Sequence, residues 1–280
     1  MLRLKVAARA LLAGSALAAL SSGALADGYG YPGSVKDAPA AEGRKLDLSV
    51  TLGATSDYIF RGISQTDQNP AAQGSVDLTY GIFYAGIWAS NVDFDGAPPA
   101  NAEIDLYAGI KPTLGPGPLW GPVTFDFGVL YYTYPNAKDA GAELNYVELK
   151  AGYSMESPWI KGLTSGTTFY WAPEYGGEVG EVFTLESAAS YALPQVGIFS
   201  PAISGVWGTV YGDRNDGFSP GGTRAEDYQY WSAGLSLAVE KFTFDFRYWD
   251  SDIDVTTGGL CVKESLCDER FVFTAKVTLP

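Results

Sequence analysis

From residue 46 the chain alternates. Leu46, Leu48, Val50 and Leu52 are interleaved with Asp47, Ser49, Thr51 and Gly53. A period of two held over this length predicts a strand with one apolar and one polar face. The pattern returns where Ala102, Ile104, Leu106, Ala108 and Ile110 alternate with Asn101, Glu103, Asp105, Tyr107, Gly109 and Lys111. Phe125, Phe127 and Val129 stand against Asp126 and Gly128; Val147, Leu149 and Ala151 against Glu148, Lys150 and Gly152; Phe242, Phe244 and Phe246 against Thr243, Asp245 and Arg247. The last segment sets Phe271, Phe273, Ala275, Val277 and Leu279 against Arg270, Thr274, Lys276 and Thr278.

Strands are expected at 46–61, 70–80, 83–94, 101–111, 123–134, 144–153, 163–172, 182–192, 202–212, 227–239, 242–250 and 269–279. Their number is even, as single-chain bacterial barrels require. With the first strand rising from the periplasm, the connections 62–69, 95–100, 135–143, 173–181, 213–226 and 251–268 face outward, mostly long and rich in Gly, Pro, Asn and Asp. The inward connections include tight turns at Gly81-Ile82 and Glu240-Lys241, and longer ones carrying Trp120 and Trp159, aromatics suited to a membrane interface.

A soluble sandwich or propeller also alternates. Here, however, the polar faces carry Asp, Glu, Lys and Arg in strand after strand, and Tyr58, Phe60, Tyr131, Tyr132, Tyr134, Tyr248 and Trp249 crowd the strand ends. The expected fold is all-β: a transmembrane antiparallel up-and-down β-barrel with a polar lumen, spanning residues 46–280. Past the leader no apolar run is long enough for a membrane helix, so any crossing is made by strands.

The first 26 residues place Arg3, Lys5 and Arg9 before an apolar stretch from Ala10 to Leu20 and end in Ala24-Leu25-Ala26. That is the layout of a cleaved secretory signal peptide. Residues 27–45, rich in Gly, Pro, Ala and Tyr, are expected to be a flexible periplasmic lead-in. Cleavage takes Lys+Arg from 18 to 15 against 32 acidic residues, and the formal charge from −14 to −17. So acidic a chain argues against nucleic acid, leaving outer-membrane lipid and small hydrophilic solutes or cations as partners. Cys261 and Cys267, close together in an exported chain, suggest a local disulfide. Two thiols without histidine do not make the usual metal set.

No histidine occurs in 280 residues. This removes the Ser-His and Asp-His pairs used in hydrolysis, so neither an enzyme nor a cofactor is expected. Chemistry is left to the lumen wall. The candidate pore-lining acids are Asp47, Asp57, Asp77, Glu103, Asp105, Asp126, Glu148, Glu186 and Asp245; the bases are Arg61, Lys111, Lys150, Arg247, Arg270 and Lys276. The acidic excess, with Asp213, Asp216, Glu226, Asp252 and Asp254 in the outward connections, favours cations. The alternative reading of these charges is a structural network, in which Asp57 and Arg61, four residues apart on one strand face, are close enough to share water or a neighbouring partner.

The segment Ser56 to Asn91 reads SDYIFRGISQTDQNPAAQGSVDLTYGIFYAGIWASN. In Ser56, Asp57, Tyr58, Arg61, Gly62, Ser64 and Gln65, then Pro70, Gln73 and Gly74, then Phe83, Tyr84, Gly86, Trp88, Ser90 and Asn91, it resembles the TorF family. These proteobacterial proteins are catalogued as porins by inference, and earlier as conserved proteins of unknown function. The resemblance is detailed over this stretch and architectural beyond residue 95. It implies an outer-membrane porin of a Gram-negative bacterium, passing small hydrophilic solutes by diffusion. One departure is the ending Leu279-Pro280, where such barrels usually finish on an aromatic residue that the insertion machinery reads. The alternative is a largely plugged barrel acting as a surface-exposed structural or binding protein through its external loops, with 213–226 and the cysteine loop as candidates. Oligomeric state is left open.

Overall fold

The computed structural model describes residues 46–94, 100–117, 120–135, 137, 143–212, 227–253, 261 and 263–280. The expected signal peptide, the lead-in and the 213–226 loop lie outside them. Twelve long antiparallel strands close into a barrel. They are β1 (Leu46–Thr55), β4 (Ala71–Tyr80), β5 (Phe83–Asn91), β6 (Ala102–Ile110), β8 (Val123–Thr133), β9 (Tyr146–Glu156), β10 (Leu163–Ala172), β11 (Val182–Ala192), β12 (Ser200–Tyr211), β13 (Tyr228–Val239), β14 (Phe242–Ser251) and β15 (Arg270–Leu279). Each pairs with its neighbour in sequence; β1 closes on β15, from Val50↔Leu279 to Thr55↔Thr274. Two short strands, β2 (Ile59–Phe60) and β3 (Ile63–Ser64), pair as a separate hairpin, and β7 (Thr113–Leu114) extends one turn.

Register fixes the width. Extending the ladders once round the barrel from Thr51 returns to β1 about 16 residues farther along, a stagger that with twelve strands tilts them by roughly 45° and gives a backbone radius of about 12 Å. At one end the strands join through tight turns. Gly81-Ile82 lies between the paired Tyr80 and Phe83, Glu240-Lys241 between Val239 and Phe242, and Gly81 and Glu240 take φ of 62° and 53°. Such left-handed positions match the twist of a two-residue hairpin. The other end carries the long connections.

The faces invert the usual arrangement of a water-soluble domain. Leu48, Leu52, Ile87, Leu106, Phe127, Leu149, Ile203, Leu235, Phe246 and Phe273 point outward and are exposed. Aromatics band both rims of that surface: Tyr80, Phe83, Tyr153 and Phe242 at the turn end, Tyr131, Trp207, Tyr211, Trp231 and Phe271 at the loop end. Trp120 and Trp159 are exposed in turn-end connections. The inward face holds the buried polar and charged side chains.

One expected strand is shorter than its pattern. The alternation from Leu46 predicts a strand to residue 61, but β1 stops at Thr55. Ser56 fastens the chain to β15 through backbone and side-chain bonds with Phe273, and the chain then leaves the wall. The tip of the following segment does not face outward as expected: it folds back into the lumen.

Candidate functional site

Residues 57–66 make a two-stranded hairpin inside the loop-end half of the barrel. Its base is tied by Asp57, whose carboxylate accepts from Ser64 Oγ at 2.7 Å, Thr66 Oγ1 at 2.8 Å and Arg270 Nη1 at 2.9 Å. The Tyr58 amide donates to Thr66 Oγ1, and the Gln65 amide to the Tyr58 carbonyl. Its tip is Arg61-Gly62, flanked by the paired Phe60 and Ile63, with φ of 49° and 84°. Two successive left-handed residues are the signature of a type I′ turn. Glycine is needed at 62 for space as well: an added Cβ would lie 2.8 Å from Cβ of Tyr230 and 3.1 Å from Cβ of Ser251. The tip therefore abuts the β13–β14 wall.

Arg61 anchors the hairpin to the opposite side. Its guanidinium makes parallel bonds of 2.8 and 2.9 Å to the two oxygens of Glu148 on β9, with both side chains only 1% exposed. Glu148 also accepts the Tyr132 hydroxyl at 2.9 Å. The guanidinium lies 4.7 Å from the Phe60 ring centre and 5.1 Å from that of Tyr170. Tyr58 packs on Trp88 and its hydroxyl donates to Glu103, while Phe60 meets Tyr132 edge-on. Tyr132, Tyr146 and Tyr175 continue this aromatic run toward the loop end. Burial pushes the phenols of Tyr134 and Tyr175 above their ordinary range; neighbouring Glu103 and Asp105 raise Tyr134 further, and Arg61 partly offsets the rise at Tyr175.

Asp57 and Arg61 do not share a neighbouring partner, because the turn sends the two side chains to different walls. Arg61 takes Glu148, and Asp57 takes Arg270. Asp77, Glu103, Asp105, Lys111, Glu148, Lys150, Glu186, Asp245, Arg247 and Lys276 are buried inside the barrel; Asp126 is half-buried, and Asp47 is exposed at the turn end. Asp126 meets Lys150 at 3.0 Å and Lys111 at 3.7 Å and accepts the Tyr84 hydroxyl at 2.8 Å. Arg247 grips Asp245 and reaches Ser232 and Ser204. Tyr107 donates to Asp77 and Tyr230 to Glu186.

Sequence reasoning missed the inward aromatics. Tyr58, Phe60, Tyr132 and Trp249 were placed among strand-end aromatics, yet all four are buried inside the barrel. A signal for their kind was present: Tyr107 shares the polar face of Glu103 and Asp105, and its partner across the ladder is Gly86. Tyr84 faces Gly109, and Tyr230 faces Gly208. A Cβ on Gly86, Gly109 or Gly208 would run into the partner's ring, so each ring lies flat along the wall over its glycine.

At the loop end, Cys261 and Cys267 are joined in a disulfide, with Cα atoms 6.1 Å apart. Its loop contains a short helix, α1 (Glu264–Cys267), and roofs the hairpin: Lys263 meets Asp67 at 3.4 Å, and Gln68 donates to the Ser265 carbonyl at 2.6 Å. Among the described residues no group of three or more His, Cys, Asp or Glu side chains is placed to hold a metal ion.

Residues 38–279 match the profile of a bacterial family described as a protein of unknown function, Gcw_chp. The chain belongs to that family. No protein of curated function matches the sequence. Solved structures similar to this Gcw_chp barrel include the COG4313 outer membrane channel from Pseudomonas putida F1, 12% identical, covering 89% of this chain and 98% of that one at a TM-score of 0.49. The NanC porin is 11% identical, with 84% and 100% covered at a TM-score of 0.46. LpxR from Salmonella typhimurium is 9% identical, with 82% and 99% covered at 0.39.

Proposed function

We propose that this Gcw_chp protein is a bacterial outer-membrane porin of the TorF type, with a lumen narrowed by the 57–66 hairpin. One observation carries this: a closed barrel whose outward face is apolar with aromatic bands at both rims, and whose inward face is charged. Only lipid outside and water inside satisfy both faces. The signal-peptide layout of residues 1–26 and the disulfide agree with export. In this reading the tight turns face the periplasm and the disulfide loop faces outward. The absence of histidine supports transport rather than hydrolysis.

The solutes are small and hydrophilic, with a weak preference for cations, supported by eight candidate carboxylates inside the barrel, Asp47 being exposed at the turn end, against six basic side chains. A second reading is favoured by the hairpin itself: its anchors on both walls suit a plugged barrel that presents its loops as a surface protein. Single-channel recording of refolded protein in a planar bilayer under a KCl gradient separates the two. Discrete steps with a cation-biased reversal potential support the porin. Silence from protein shown to be inserted, by heat-dependent gel mobility and vesicle flotation, supports the plugged barrel.

A further inference from the structure

Arg61, Phe60 and Tyr58 seal the hairpin against β5, β6, β8, β9 and β10, and Gly62 closes on β13 and β14. Ile59 joins an apolar cluster that includes Val182, Val206 and Val210 of β11 and β12. Along the arc β14–β15–β1–β4 some space is left. There a small pocket of about 30 Å³, room for a water or two, lies between the hairpin and the barrel, bordered in part by Thr55, Asp57, Gln73, Asp245, Arg247 and Thr274. These six are polar or charged and make up most of the lining; Tyr58, Ile59, Trp249 and Val272 complete it. Both signs of charge occur within it: Asp245 is gripped by Arg247, and Asp57 by Arg270. Arg270 also donates to the carbonyls of Ser265 and Asp268 in the disulfide loop, so the Asp57–Arg270 pair stands between the pocket and the outer loop.

Resting on the porin reading above, we propose that solutes pass the hairpin off-axis, through this polar pocket, and that Asp57, Asp245 and Arg247 set its selectivity. A path along the β8–β10 side would have to part a fully desolvated charge pair and stacked rings. A path along β14–β15–β1–β4 meets Asp245, Arg247 and Asp57, charged groups slightly more exposed than the Arg61–Glu148 pair and able to trade hydrogen bonds with a passing solute or its water. The mixed charges fit small cations and small zwitterionic or neutral polar solutes, because a solute can trade contacts with either sign.

Introduced thiols test the route, since both native cysteines are engaged in the disulfide. Thr274→Cys places a thiol on the pocket wall, and Thr184→Cys places one at hairpin level on β11, a position with 0% exposure beside Tyr170. Each refolded variant is recorded in a planar bilayer before and after a charged methanethiosulfonate reagent. The expected result is a loss of most of the current for Thr274→Cys and no change for Thr184→Cys. Block at Thr184→Cys, whether or not Thr274→Cys is also blocked, overturns the off-axis route while leaving the porin standing. So does a lack of effect at Thr274→Cys in protein whose mass shows the label. A silent but inserted wild type overturns the porin reading, and the route falls with it. Asp245→Asn supplies a second readout: reversal potential is expected to move toward anions, and an unchanged value removes Asp245 from the selectivity set.

Discussion

Arg61→Ala cuts the hairpin's main anchor. The two bonds to Glu148 are 2.8 and 2.9 Å long and both side chains are 1% exposed, so the solvent screening that makes surface pairs nearly worthless does not apply. The pair's net worth against two apolar residues is small, because desolvation offsets most of the attraction. Removing one partner is different: it strands a buried carboxylate, at a cost of about 3–5 kcal/mol. Glu148 would keep the Tyr132 hydroxyl, which places the expected loss at the low end of that range, about 3 kcal/mol. A ceiling also applies, since the loss cannot exceed what holds the hairpin docked. Beyond it the hairpin leaves the lumen by local unfolding and water reaches Glu148.

Urea unfolding in lipid vesicles reads the stability, and planar-bilayer conductance reads the hairpin. Arg61→Ala is expected to lose stability, raise conductance, or both, according to how firmly the remaining contacts hold. The double change Arg61→Met with Glu148→Met removes both charges at similar volume and should recover most of the stability, with the hairpin again in place. Were Arg61→Ala to stay within about 0.5 kcal/mol of wild type with unchanged conductance, the anchor would be refuted.

Neutral amides at three acidic positions, Asp57→Asn, Asp77→Asn and Glu103→Gln, are expected together to shift the reversal potential toward anions; no shift would remove the cation preference. Gly62→Ala combines a φ of 84° with a Cβ 2.8 Å from that of Tyr230, and is expected to cost about 1–3 kcal/mol in urea unfolding. Cys261→Ser with Cys267→Ser opens a short cross-linked loop and should lower stability by about 2 kcal/mol, read from the same unfolding curves. Tyr134 and Tyr175 have raised folded pKa values, so their neutral forms favour the native state fully below the unfolded tyrosine value of about 10. Stability should therefore fall as pH climbs above that value in vesicle unfolding titrations, and a flat profile there would contradict their burial.

The barrel was legible because membrane and lumen impose opposite demands on alternate residues, and that demand is local. The expected strands at 163–172 and 182–192 coincide with β10 and β11, and the turns at Gly81-Ile82 and Glu240-Lys241 are where the pattern put them. The hairpin was hidden by the same rule. After Leu52, the even positions Tyr58 and Phe60 continue the apolar register, so periodicity extends the strand through them. Their burial inside the lumen depends on Ser56 fastening to Phe273 more than two hundred residues away, a contact no local pattern encodes. Arg61-Gly62 between Phe60 and Ile63 has the length of a tight turn, but arginine at its first position lacks the usual Asn or Asp signal.

Barrel width explains why such a hairpin is built at all. At a backbone radius of about 12 Å, side chains from the wall cannot meet across the axis, as they do in an eight-stranded barrel. Nor do the large wall tyrosines project to fill it. Tyr84, Tyr107 and Tyr230 lie down over Gly109, Gly86 and Gly208, keeping ring volume on the wall while aiming hydroxyls at Asp126, Asp77 and Glu186. Filling falls to a separate segment, which leaves the wall at Ser56, reaches Tyr230 at its tip, and is charge-locked to β9 through Arg61–Glu148 and to β15 through Asp57–Arg270. Between the hairpin and β14–β15–β1–β4 it leaves a small pocket whose lining is mostly polar. In the porin reading proposed above, that pocket is the passage, and a hairpin anchored on two walls is what keeps it narrow.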